Sequence, residues 1–172
     1  MSDVLDGDFG VRVPVGEWFT DAVDWIDDNF SVVLDGIRTF LLRSTELLQD
    51  GLNDLPVLVV VLAIAGLALW ARGVRFALFT IPALLLVRSM EMWAPAMDTL
   101  ALVIVSGIVA MLIALPLGIL AASSDVASSV IRPIMDFMQT MPAFVYLIPA
   151  LFFFSIGVVP GIVSTIIFAM PP

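Results

Sequence analysis

Three polar side chains stand in an otherwise apolar stretch near the C-terminal end of the sequence: Gln139, Thr140 and Tyr146. Polar groups facing hydrocarbon are costly, so in an apolar chain they are expected to turn toward the interior or a wet cavity. Pro142 and Pro149 lie among them, seven residues apart. Each lacks an N–H and leaves the carbonyl about four residues earlier without its intrahelical donor, a gap tolerated where backbone lines a cavity. Such a set can hold or pass a solute by hydrogen bonding. It cannot make or break bonds by the usual routes. The chain has no Cys and no His, which removes thiol nucleophiles, imidazole bases, disulfides and the common zinc ligands. All seven basic residues are Arg, so no Walker A loop is present to bind ATP. An intramembrane hydrolase would also need paired acids in one membrane region, and none occur.

The elements that must position these groups are apolar. Hydrophobic residues make up 61% of the chain and charged ones 13%, with a mean hydropathy of +1.12. Soluble domains have roughly 45–50% and about 25% respectively, so this is a membrane protein. The charge is uneven: residues 1–54 carry twelve of the sixteen acids and three of the seven Arg, and the remainder is neutral. An acidic tail repels nucleic acid and anionic headgroups, so neither is expected as an electrostatic partner. Met1–Asp8 carries acids where a signal peptide has a basic region. Residues 1–16 show no sustained period and are expected to be mobile. From Glu17, apolar residues at helical spacing (Trp18, Trp25 or Ile26, Val33, Ile37, Leu48) mark one amphipathic helix, or two broken near Asn29–Ser31. The stripe suits a membrane interface, with its Trp residues, or a protein partner; the pattern is the same for both.

Five spans follow. Leu55–Ala71 is long enough to cross; Phe76–Val87 is shorter, extendable by Arg88 and Glu91; Ser89–Asp98, with Trp93 and Pro95, reads as an interfacial loop; Thr99–Ala122 is a long span with a kink expected at Pro116. Val130–Met141 is an amphipathic approach at a membrane face. Pro142–Ile156 and Gly161–Met170 form a helical hairpin across the turn signal Gly157–Gly161. Arg132 and Asp136, four residues apart, share a helical face; Asp136 is either a functional polar contact or a solvated acid beside the membrane.

The stretches ALPLGILA (114–121) and IRPIMDFMQTMPAFVYLIPALFFFSIGVVPGIVSTIIFAMPP (131–172) closely resemble the permease subunit of glycine betaine/proline betaine ABC importers, the ProW-like family. The "MQTMPAFVYLIP" block is the narrow part of the match, whereas "PLG" occurs across binding-protein-dependent permeases. Val13-Pro14-Val15 and Asp24-Trp25 extend the similarity into the tail. The resemblance implies an all-α polytopic fold with about five transmembrane helices, part of the type I ABC importer permease fold, after an extracytoplasmic amphipathic segment (1–54). It implies residues 55–172 as the N-terminal part of the transmembrane domain, in the cell membrane. It further implies a second permease copy, an extracytoplasmic substrate-binding protein, and a cytoplasmic ABC ATPase holding the ATP and Mg, with no cofactor or metal in this chain. The positive-inside count is three Arg against three, so only the resemblance orients the N-terminus outward.

By the same resemblance, Gln139, Thr140, Phe144, Tyr146 and Phe152 are candidates for the substrate path. A quaternary ammonium has no N–H and is attracted by aromatic faces, hence the Phe and Tyr residues among them. Gly107, Pro116, Gly118, Pro142, Pro149, Gly157 and Pro160 are the positions where helices would bend or approach during alternating access. The departure from the family is that its Glu-Ala-Ala coupling loop and later spans do not follow Pro172, and the expectation is a permease truncated before that loop. The competing reading is a small non-transporting assembly or regulatory subunit derived from a permease.

Overall fold

A computed structural model describes residues 15–171. Residues 1–14 of the 1–16 segment expected to be mobile, the Val13-Pro14 pair among them, and Pro172 lie outside the described residues, whereas Val15 and Gly16 already belong to the first helix. Seven helices and no strand make up what is described: α1 (Val15–Asp54), α2 (Val57–Arg72), α3 (Val74–Ser89), α4 (Trp93–Ser123), α5 (Asp125–Thr140), α6 (Ala143–Phe154) and α7 (Val158–Ala169). The all-α expectation holds, and the five apolar runs are α2, α3, α4, α6 and α7.

Their lengths differ from five complete crossings. At about 1.5 Å per residue, α4 reaches ~46 Å, α2 and α3 ~24 Å, and α6 and α7 ~18 Å against a hydrocarbon core of about 30 Å. Among the described residues α4 alone is long and apolar enough to cross by itself, and the number rises to three if two sharply bent pairs each count as one span. Those pairs are α1 with α2, bent by 108°, and α5 with α6, bent by 99°. Both bends fall at an X-Pro step. The residue before proline avoids the α region, so α1 stops at Asp54 ahead of Leu55-Pro56, and α5 stops at Thr140 ahead of Met141-Pro142, Met141 being extended at φ −91°, ψ 135°.

Other boundaries have equally local causes. Gly73 separates α2 from α3 at φ 86°, ψ −179°, a positive-φ conformation that favours glycine. Beyond α3, Glu91 takes φ 59°, Met92 N–H donates to Val87 O (3.2 Å) and Glu91 N–H to Arg88 O (3.1 Å). This pair of bonds is a Schellman cap with a glutamate in the usual glycine position. The interfacial loop expected at Ser89–Asp98 is therefore only three residues long. Trp93 is not interfacial: it opens α4 at 8% exposure, packed with Val60, Val61 and Met97. Ser124 separates α4 from α5 and caps the latter, its hydroxyl accepting from Ala127 N–H at 3.3 Å.

The long helix α4 is the spine. Its start meets α2 and α3 in the Trp93 cluster, and its middle packs on α1 and α7, which in turn hold α6, around Leu41, Val105, Ala110, Phe154 and Ile162. α6 and α7 form the expected hairpin, but the turn is residues 155–157, with Ser155 at φ 59°, ψ 179°, and Pro160 already lies in the first turn of α7. The amphipathic segment is one helix: Asn29 donates to Trp25 O (2.7 Å) and the helix continues past it. Its C-terminal half docks on protein through Leu34, Leu41, Leu42 and Leu48, while Trp18 and Trp25, each 61% exposed, stay on an open N-terminal half. Asn53 Nδ2 donates to Asp98 Oδ1 (3.1 Å), tying the end of α1 to the start of α4.

Candidate translocation path

The α5–α6 elbow is where the sequence places most of its polar candidates. Proline 142 has no N–H, so the carbonyl of Met138, four residues earlier, loses its normal donor. The hydroxyl of Tyr146 replaces it, donating to Met138 O at 2.7 Å with the ring half-buried. A single side chain thus satisfies the gap that the proline opens and pins α6 across the end of α5. The orphaned carbonyl was readable in the sequence; the identity of its donor was not.

The other polar candidates are placed differently. Gln139 and Thr140 occupy the last turn of α5 and are exposed, with Thr140 Oγ1 donating to Phe137 O (2.7 Å). The expected inward orientation is not met within this chain: α5 packs along α4 and touches α7, and both side chains remain exposed in its last turn. The aromatic candidates do not converge either. At about 100° per residue, Phe144 and Phe152 lie ~80° apart around α6 and Tyr146 ~200° from Phe144. Phe144 is 78% exposed and borders a cavity of about 230 Å³ facing Ser164 and Thr165 of α7. Phe152 is also on the exposed side, whereas Phe154, two residues on, is in the core.

The bend and packing positions sort into three groups. Gly107 and Gly118 lie in a groove of about 880 Å³ along α4 that ends against Ala169 and Met170. Between them come Ala110 and Ala114, and beyond them Ala122, so small residues repeat every four positions from 110 to 122. A Cβ added at Gly107 or Gly118 would meet nothing within 4 Å, so neither glycine serves a close approach inside this chain. Pro116 and Pro149 sit in helix interiors, leaving the carbonyls of Leu112 and Val145 without a helical donor. Pro160 bends nothing: in the first turn of α7 its missing N–H has no helical acceptor to lose. Gly157 is extended backbone at φ 163°.

Three buried hydroxyls went unnoticed in the sequence. Thr45, Ser106 and Ser164 sit at 2%, 0% and 6% exposure in α1, α4 and α7, each donating to the carbonyl four residues before it. Back-bonding is how a helix in an apolar core satisfies a hydroxyl, and it makes these small side chains packing elements. No pattern distinguishes them in sequence from the exposed Ser129 or Thr20.

The chain is 42% identical over 161 residues to the glycine betaine transport system permease protein OpuAB of Bacillus subtilis, covering 94% of this chain and 57% of that protein. It is 39% identical over 170 residues to the glycine betaine/proline betaine transport system permease protein ProW of Escherichia coli, covering 99% and 48%. To the glycine betaine/carnitine transport permease protein GbuB of Listeria monocytogenes it is 39% identical over 166 residues, covering 93% and 58%. The chain is a homologue of glycine betaine transport permeases. It spans about half the length of these curated relatives. No protein-family model matches it. α4 runs helical through the Pro116-Leu117-Gly118 step, and the MQTMPAFVYLIP block forms the α5–α6 elbow.

Proposed function

We propose that this chain is part of the permease subunit of an ATP-driven importer for betaine-class osmolytes, forming the path by alternating access while a separate ATPase subunit hydrolyses ATP. The observation that carries the reading is 38–42% identity, over nearly the whole chain, to four proteins named as glycine betaine permeases. The all-helical, apolar architecture agrees with it. The cargoes in those names, glycine betaine, proline betaine and carnitine, share one chemistry: a quaternary ammonium and a carboxylate joined by a short spacer. Partners of the kind this implies are an extracytoplasmic binding protein, a cytoplasmic ATPase pair and a second permease copy. The test is uptake of radiolabelled glycine betaine by cells lacking other osmolyte importers, with the natural gene product supplied beside its ATPase and binding protein. Uptake that follows induction and requires ATP is expected; its absence with all subunits correctly in the membrane would remove the reading.

The N-terminal half of α1 belongs outside the cytoplasm on this reading, its exposed Trp18 and Trp25 resting at the lipid interface. Because the chain contains no cysteine, Asp27→Cys at an exposed position gives a single reactive thiol. A membrane-impermeant thiol reagent should label it in intact cells, and labelling that appears only after lysis would reverse the orientation.

A further inference from the structure

A second, smaller cleft opens beside the α4 groove, between α4, α5 and the end of α7, with a volume of about 210 Å³. Pockets for drug-sized ligands run to roughly 300–1,000 Å³, so this one suits a small solute. Its walls are apolar, from Ala114 and Gly118 on one side to Met135 and Met170 on the other, except for two residues: Arg132 and Asp136. These stand one helical turn apart on α5, their Cβ atoms about 5–6 Å from each other. The cleft therefore offers one positive and one negative group, side by side, above an apolar floor.

Helix stability does not account for that pair. In i, i+4 ion pairs the acid-first order is the better one, and here the base comes first. Asp136 also stands one turn from the C-terminal end of α5, the end at which the helix dipole favours a cation. The remaining question is what ligand would need both charges at this spacing.

We infer that Arg132 and Asp136 form a binding site for a small zwitterion in this cleft, Arg132 taking the carboxylate and Asp136 facing the quaternary ammonium. The ligand class rests on the functional reading above, which this site deepens. The Arg guanidinium has the planar fork that matches a carboxylate in two hydrogen bonds. A quaternary ammonium offers no donor, so its partner must act by charge, with polarizable thioethers such as Met135 and Met170 against its methyl groups. Ala114, Gly118 and Met170 border both this cleft and the α4 groove, so the two lie side by side.

The natural gene product, assembled with its ATPase in nanodiscs and with the binding protein omitted, should bind radiolabelled glycine betaine. Choline keeps the ammonium without a carboxylate, and 3,3-dimethylbutyrate keeps the carboxylate and shape without the cation. Both should compete more weakly than unlabelled glycine betaine. Arg132→Gln should weaken glycine betaine binding by about tenfold or more, the value of a charge-assisted hydrogen-bond pair, while leaving choline competition unchanged. Asp136→Asn should weaken glycine betaine and choline and spare 3,3-dimethylbutyrate. Both residues are exposed, and gel filtration checks that the variants assemble. Binding by assembled variants equal to that of the parent, equal competition by all three solutes, or no binding by a complex that transports glycine betaine once the binding protein is restored would each overturn the site. Charge-dependent binding by a complex that never transports would overturn the functional reading and leave the site standing.

Discussion

Gly118→Trp should reduce betaine uptake by at least about tenfold while the protein inserts and remains helical. Gly118 is one of three residues shared by the α4 groove and the Arg132/Asp136 cleft, and a Cβ there meets no atom within 4 Å. The first atom of a new side chain thus has open space in this chain, and replacing a helix-interior glycine does not weaken α4. What it does is fill the groove. If the small-residue face from Ala110 to Ala122 receives another helix of the assembled transporter, overpacking that contact costs roughly 1–3 kcal/mol. If the groove is itself the route for the solute, the ring obstructs it. Leu120→Trp is the control, since Leu120 is exposed on α4 and borders neither cavity. Normal uptake by Gly118→Trp, at normal membrane levels, would show that the groove takes no part in assembly or passage.

Removing the Tyr146 hydroxyl alone should cost nearly as much as removing the whole ring. Tyr146→Phe leaves Met138 O without the donor that stands in for the N–H missing at Pro142. The bond is part-buried, and losing one such bond costs about 0.5–1.5 kcal/mol, equivalent to roughly twofold to tenfold in the equilibrium that holds α6 across α5. Tyr146→Leu also forfeits the aromatic face, for which a cation–π contact is worth about 0.5–2 kcal/mol. The two variants separate the roles. Equal loss of uptake places the residue at the elbow; loss confined to Tyr146→Leu places its ring against the cation. Uptake unchanged in both would return Tyr146 to ordinary packing. Protease susceptibility near Met141 is the independent readout, expected to rise in both variants if the hydroxyl pins the elbow.

The elements and their breaks are written locally. Hydrophobic runs, X-Pro steps at Pro56 and Pro142, and the small-residue repeat along α4 are properties of adjacent residues, and sterics and burial act on them without reference to the fold. The same holds for the chemistry that is excluded, since an absent residue type cannot be supplied by folding. The block that names the relatives is also contiguous. Tertiary structure decided the partners. Whether Trp93 faces an interface or a core depends on α2 and α3 lying against the start of α4, and the stripe on α1 changes from exposed to packed on protein half-way along one helix. Which donor reaches Met138 O depends on a 99° bend that swings Tyr146 back over α5. The Arg132–Asp136 face acquires its meaning only when Gly118 and Met170, 14 and 38 residues away from Arg132 in sequence, close a cleft around it. Contacts of that separation are set by packing, and helical periodicity fixes the face a residue occupies without naming what will lie against it.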